Sequence, residues 1–301
     1  MTYWIYRAMA ALPLSISYRL APVLAWLIER VFKYRVATVD QNLRNSFPGQ
    51  SEVWYATTRH RFYRQFAEVT VEAMYAWRMP RDELERRMTI TGWESLISAE
   101  GELPKPGILL SIHHNNWEWL LQRSSIAVSS PFDCIYKPLH EDGAERFAIE
   151  TRGKHGANLV TLQTLSKYVL KSRRKPRVIG LLADQSPSKS ETKHWATFLN
   201  QTTPFFMGPA TLARLTKYPV YFVRTKRISQ GHYHAELLTI CAEPGTMIES
   251  QLLEKYIALA EETIRLQPES YLWTNRRWKL MPTHASLETA SDESEETQLN
   301  P

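Results

Sequence analysis

The sequence predicts an α/β fold with a mostly parallel central sheet flanked by helices, preceded by an N-terminal membrane-binding helical region. Three observations carry this. Short apolar runs such as Ile108–Ile112 and Val178–Leu182 have the unbroken character of buried strands. From Val39 to Arg87 the pattern is helical, with apolar residues at three- and four-residue spacings (Phe62, Phe66, Val69, Met74, Trp77). Finally, 301 residues with 44% hydrophobic content suffice for one good-sized α/β domain or two small ones.

The N-terminus comes first in the chain. Ala8 to Tyr18 is uncharged, Arg19 interrupts, and Leu20 to Ile28 continues the apolar run. Neither half reaches the roughly 20 residues that span a bilayer, and Pro13 and Pro22 are expected to break up the stretch. Arg7 with no small-residue cleavage site makes a poor signal peptide. Residues 1–36 therefore read as a membrane-anchoring hairpin or interfacial helix, with Trp4, Tyr6, Tyr18 and Trp26 as interface rings and Arg30, Lys33 and Arg35 flanking. A buried helix pair packed on the domain is the competing reading.

Charge is unevenly placed. The tail 284–301 holds Glu288, Asp292, Glu293, Glu295 and Glu296 and no Lys or Arg, so removing these five negative charges from the net +6 leaves +11 on residues 1–283. A basic body with an acidic, Ser/Thr-rich end predicts an anion-seeking surface and a disordered tail, giving segments 1–36, 37–283 and 284–301. Headgroups, phosphorylated substrates or an acidic carrier protein fit such a surface; nucleic acid ranks low, because no recognised binding motif is present. The arginines of the helical stretch (Arg59, Arg61, Arg64, Arg78, Arg81, Arg86, Arg87) face either anionic lipid or solvent. Cys134 and Cys241 lie far apart with no paired spacing, which points to a reducing, cytoplasm-facing setting.

After Pro106 the run Ile108–Ile112 ends in His113-His114-Asn115-Asn116-Trp117-Glu118, followed by helix-compatible Trp119, Leu120 and Leu121. A strand running into such a turn places polar groups at the carboxyl end of a sheet, where α/β active sites sit. Helix capping explains the polar residues blandly. Metal binding is disfavoured, since the spacing is not His-Glu-x-x-His and no third ligand is near. The leading reading is a base, with Glu118 holding one imidazole nitrogen while the other takes a proton from a hydroxyl. Spacing does not choose the histidine: His113 and Glu118 lie about 140° apart on an ideal helix, whereas His114 and Glu118 share a face.

His113-x4-Glu118 resembles the His-x4-Asp/Glu motif of glycerolipid-type acyltransferases and, more narrowly, the bacterial lipid A biosynthesis acyltransferases with their His-Phe-Gly-Asn-Trp-Glu wording. Further blocks follow in order: Asn42-Leu43 to Phe47-Pro48, Tyr136-Lys137-Pro138-Leu139 with Arg152-Gly153, Ala183-Asp184-Gln185, Pro204 to Pro209, and Leu272-Trp273-Thr274-Asn275-Arg276-Arg277-Trp278-Lys279. The resemblance spans roughly residues 25 to 280. It departs at His114-Asn115, where an aromatic and a small residue are usual, and at Asn275, where His is common, which bears on the acceptor.

The resemblance implies a catalytic pair His113 and Glu118, with His113 as base just ahead of its helix. The implied reaction moves a fatty acyl chain, usually from acyl carrier protein, to a hydroxyl of a lipid A precursor at the cytoplasmic face of the inner membrane. A hydroxyl needs a base, whereas a thioester is activated enough to dispense with an acyl-enzyme, and no Gly-x-Ser-x-Gly elbow is present. No cofactor or metal is expected. Asn116, Lys137, Arg152, Asp184, Gln185, Arg276 and Arg277 are the candidate substrate-binding residues, with surface charge or helix capping as the alternatives for each. Pro204, Phe205, Phe206 and Gly208 shape either an acyl tunnel or a tight core turn. Another acceptor, such as an ornithine lipid or lysophospholipid, and a non-catalytic membrane adaptor with the same fold stand as alternatives.

Overall fold

The computed structural model describes residues 1–99, 102–172 and 175–280, so the expected acidic tail, 284–301, lies outside the described residues. In chain order come α1 (Thr2–Ala10), α2 (Leu14–Trp26) running into a π-helical turn (Leu27–Val31), α3 (Val36–Ser46), α4 (Glu52–Tyr75), α5 (Arg81–Arg87) and β1 (Met88–Thr91). The central segment holds β2 (Gly107–Ser111), α6 (Trp117–Ala127), β3 (Phe132–Tyr136), α7 (Asp142–Gly153), β4 (Asn158–Thr161), α8 (Leu165–Ser172) and β5 (Val178–Leu182). A hairpin of β6 (Lys193–Phe198) and β7 (Gln201–Phe206) follows, then α9 (Gly208–Thr216), β8 (Val220–Ser229), β9 (His232–Cys241) and α10 (Glu249–Leu266).

Among the described residues one seven-stranded sheet runs in the order β1-β9-β8-β2-β5-β3-β4, all neighbours parallel except the hairpin pair β8 and β9. β2 is buried along its whole length, which is why Gly107-Ile-Leu-Leu-Ser111 reads as unbroken apolar sequence rather than alternation. Its side chains still alternate between faces. Ile108 and Leu110 join Tyr256, Ile257 and the α9 residues on one side, and Leu109 joins Trp119, Leu120 and Phe132 on the other. Burying each such aliphatic side chain stabilises the fold by about 1.5–3 kcal/mol.

The N-terminal helices pack against the body. α2 lies on α4 through Ala21, Ala25 and Ala67, and α1 meets α7 through Tyr3, Ala10 and Phe147. The opposite faces leave Trp4, Ile5, Ile16, Leu20, Val23 and Trp26 exposed. No single helix is long and apolar enough to cross a membrane; the pair Thr2–Ala10 and Leu14–Val31 passes that test together, bent by 116°. Two sequence expectations need correction. Pro22 lies on the exposed side of α2 without ending it, and the break falls at Ala11–Pro13 instead. Tyr18 turns inward, its hydroxyl donating to Glu72 at 2.7 Å, rather than serving as an interface ring.

The arginines of the helical stretch are largely committed to neighbours. Arg59 pairs with Asp40 and Glu29, Arg81 with Glu85, Arg86 with Asp82 and Arg87 with Glu83. The last three are i,i+4 pairs on one helix, worth a few tenths of a kcal/mol each where exposed. Their charge is thus partly answered within the protein rather than offered to an outside anion.

Candidate active site

Two adjacent strands build the site by register. β2 and β5 are parallel, with Ser111 opposite Leu182. Continuing two residues past each strand end brings His113 opposite Asp184. The Ala183 N–H still donates to the Ser111 carbonyl at 3.1 Å, extending the ladder, and the His113 N–H then donates to Asp184 Oδ2 at 3.1 Å. His113 Nδ1 meets Asp184 Oδ1 at 2.7 Å. The aspartate therefore grips both backbone and ring of one residue. Burial alone would raise the Asp184 pKa, but the adjacent imidazole and the backbone N–H outweigh it and hold it below the usual range.

With Nδ1 committed to Asp184, Nε2 of His113 is the nitrogen left for a substrate. It lies 3.2 Å from the Gln185 amide nitrogen, and the Trp117 ring stands edge-on to the imidazole at 5.3 Å. His113 precedes α6, whose N-cap is Asn116, so the residue sits in the non-helical turn. There its ring is free of the helical direction that the five-residue spacing would impose. Asn115 in the same turn takes the left-handed conformation, φ +55°, which Asn tolerates better than most residues.

His114 points away from this centre. It is buried, its Nε2 meets the Gln267 carbonyl at 3.0 Å, and burial drives its pKa down to about 4. It holds the C-terminal segment against the turn, helped by the bridge between His114 and Tyr271.

Glu118 does not hold the imidazole as the sequence led one to expect. Its carboxylate is gripped by Arg152 of α7, Nε to Oε2 at 2.9 Å and Nη2 to Oε1 at 2.6 Å. This forked pair keeps Glu118 below, and Arg152 above, their ordinary pKa values although burial pushes each the other way. Both side chains line the same cavity as His113, so the motif's two ends share a site without touching each other.

That cavity, about 800 Å³, runs from the carboxyl ends of β2, β3 and β5 down between α6 and the sheet. Its mouth carries polar groups, among them Lys137, His140, Gln185 and Lys279; its depth is walled by Leu109, Leu120, Leu121, Phe132 and Val223. Phe132 lies over Gly180, where an added Cβ would come within 2.6 Å of the ring. Of the Pro204–Gly208 stretch, Phe206 lines this cavity, whereas Phe205 belongs to the core.

Three candidate binding residues are placed differently. Asn116 is fully buried, capping α6 by accepting from the Trp119 N–H at 2.9 Å and donating to Glu72 at 2.7 Å. Both ends of its amide are used inside the protein, so it does not face the cavity. Arg277 is also buried, donating to the Pro204 carbonyl at 2.7 Å and stacking on Phe205 at 4.5 Å. Burial lowers its pKa, and it is closed off from any headgroup. Arg276, next to it, is exposed. Asp184, read either as substrate-orienting or as a helix cap, instead anchors the histidine. Equal offsets past two apolar runs, Ser111 to His113 and Leu182 to Asp184, were the sequence trace of that pairing. Glu72 left no such trace, being one of three acids in a long helix.

A histidine held by a carboxylate at the carboxyl ends of two central strands thus opens on a deep apolar slot, and comparison with known proteins gives the class of the chain. The family model described as bacterial lipid A biosynthesis acyltransferase matches residues 1–280, and the chain belongs to that family. It is similar to the lipid A biosynthesis lauroyltransferase of Escherichia coli K12, 27% identical over 280 residues that cover 90% of this chain and 88% of the relative. It is also similar to the lipid A biosynthesis palmitoleoyltransferase of the same strain and a lipid A biosynthesis acyltransferase of Shigella flexneri, each 22% identical over 274 residues covering 88% of both chains. The protein is an acyltransferase.

Proposed function

We propose that this acyltransferase moves a fatty acyl chain from an acyl thioester, carried on acyl carrier protein, to a hydroxyl of a lipid A precursor, with His113 as the base. The observation that carries the reading is the placement of His113 Nε2 at the mouth of the apolar slot while Nδ1 rests on Asp184. Donated to the carboxylate, the Nδ1 proton leaves Nε2 with its lone pair toward the cavity. Nε2 takes the hydroxyl proton as the oxygen attacks the thioester carbonyl carbon; the C–S bond then breaks, and the departing sulfur receives that proton from His113.

The remaining side chains fall into supporting roles. Arg152, locked by Glu118, stands as a fixed positive charge beside the reacting carbonyl, where developing oxyanion charge is stabilised without reorganisation. Glu118 thereby acts through Arg152 rather than through the imidazole. Lys137 and Gln185 line the mouth where donor and acceptor headgroups meet, and Arg276 adds an exposed cation nearby in sequence to Lys279 of the same mouth. The acyl chain lies along the apolar wall between α6 and the sheet. β3 from Tyr136 to Phe132 gives this wall a depth of roughly 13 Å.

The exposed apolar faces of α1 and α2, with Arg19 on α2 and Arg30 on the π-helical turn that follows, suit a helical pair lying in the headgroup layer at the cytoplasmic face of the inner membrane. The test is transfer from acyl–acyl carrier protein to a lipid A precursor, read by mass spectrometry and paired with the lipids of cells with and without the protein. An acyl group missing from lipid A in cells lacking it is the expected result. An acyl group missing from another lipid, with lipid A intact, overturns the acceptor, and no change in any lipid overturns the reaction.

A further inference from the structure

The Glu72 carboxylate, buried in the last turn of α4, accepts from three distant parts of the chain. Tyr18 Oη reaches Oε1 at 2.7 Å; Asn116 Nδ2 at 2.7 Å and Tyr233 Oη at 2.6 Å reach Oε2. The Glu72 carbonyl takes the indole N–H of Trp119 at 2.9 Å. Two of these four bonds thus end at the start of α6, and one ends on α2. A buried carboxylate facing three donors is satisfied only while all are in place, and losing one costs the desolvation of what remains.

Asn116 cannot swivel to accommodate a change. Its oxygen caps the Trp119 N–H while its nitrogen meets Glu72, so the cap of α6 and the bond to α4 are made together. The rest of the turn is held from other directions: the Asn115 N–H donates to the Ser270 carbonyl at 3.0 Å, and its amide donates to Thr225 O at 3.0 Å. Glu72 is therefore the side of the His113 turn that leads to the N-terminal helices. α2 sits close on α4 through alanines at positions 21, 25 and 67, small side chains that let the two helices approach closely. Its far face shows Ile16, Leu20, Val23 and Trp26 to the outside.

We propose that Glu72 is a positioning residue which couples the seating of α2 on a lipid surface to the shape of the turn carrying His113, through the chain Tyr18–Glu72–Asn116. Its kinetic consequence rests on the acyl-transfer reading above; the coupling itself is a property of the fold. Seating α2 holds the Tyr18 hydroxyl in place, Tyr18 fixes the carboxylate, and the carboxylate fixes the Asn116 amide that begins α6.

The experiment uses the full chain with vesicles of phosphatidylglycerol and phosphatidylethanolamine. In Glu72→Gln an amide donor faces groups that themselves donate; kcat falls about tenfold or more while the KM for the thioester stays put. In the double variant Glu72→Gln with Asn116→Asp the bond re-forms in reverse, the glutamine donating to a carboxylate that still caps the helix, and kcat returns to within about threefold of the parent. Tyr18→Phe keeps the ring and removes only the hydroxyl. Hydrogen exchange across residues 112–120 slows on adding vesicles to the parent and not to Tyr18→Phe, an arm that stands even if Glu72→Gln fails to fold. Parental kcat in Glu72→Gln, no recovery in the double variant, or the same vesicle response in Tyr18→Phe overturns the coupling. No acyl transfer by the parent, with the vesicle-dependent slowing of exchange still present in the parent and absent from Tyr18→Phe, sinks the functional reading and leaves the coupling standing; no slowing in the parent overturns the coupling.

Discussion

Arg152 and Glu118 form a two-pronged ion pair across the α6–α7 contact, Nη2 to Oε1 at 2.6 Å and Nε to Oε2 at 2.9 Å, in a cavity wall where each side chain is less than one-fifth exposed. Arg152→Lys keeps the charge and loses the fork, so it is expected to lower kcat about as far as Glu118→Gln does, on the order of a hundredfold. Breaking a partner-dependent buried pair also destabilises the fold by about 3 kcal/mol, readable in urea unfolding. Near-parental activity in Arg152→Lys would show that charge alone is needed.

His113→Ala removes the base and lowers kcat by about a hundredfold to ten-thousandfold, with the fold intact. Asp184→Asn is expected to approach the same loss, because an amide donating to Nδ1 places the imidazole proton on Nε2, the wrong side. Steady-state rates with one acyl thioester decide the matter. A larger loss in His114→Ala than in His113→Ala would reassign the base.

His114 gives the fold a pH dependence of its own. Its folded pKa of about 4 lies below the ordinary 6.5, so the unfolded chain binds the proton more readily. The neutral ring's contribution is complete above pH 6.5 and is lost as pH falls from there through 4, to a total of about 3 kcal/mol. Urea unfolding of the parent and His114→Asn at pH 7 and pH 4.5 isolates it: the parent loses more stability than the variant on acidification. An equal loss in both refutes the assignment.

Phe132, standing over Gly180 in the wall of the slot, is expected to limit acyl-chain length. Phe132→Leu opens space and shifts preference to longer chains, measured by competition among thioesters of graded length. Gly180→Ala presses the ring into the slot and shifts it to shorter ones. Unchanged profiles in both place the end of the chain elsewhere.

Much of the fold was legible because fully buried strands write themselves as apolar runs. Ile108–Ser111, Val178–Leu182 and Val220–Val223 all fall on strands of the sheet, and the helical spacing from Val39 to Arg87 falls on α3, α4 and α5. The position of His113 ahead of α6 was expected from the resemblance together with the five-residue spacing, and the helix does begin after it, at the Asn116 cap. What stayed hidden depended on pairings between elements. Sequence offers Glu118 as the nearest carboxylate to His113, whereas strand register brings Asp184, 71 positions away, to the ring. Burial hid the rest: Asn116 and Arg277 look like free polar groups until neighbouring chain closes over them, and Glu72 looks like any acid of a charged helix.

The alanine contact between α2 and α4 has a practical side. Removing the first 26 residues to obtain a better-behaved protein would bare Ala67 and strip Glu72 of the Tyr18 hydroxyl, trading one exposed apolar face for another and orphaning a carboxylate inside the body. Solubility is better sought by exchanging Ile16, Leu20 and Val23 for polar residues, which leaves the inner face of α2 as it is.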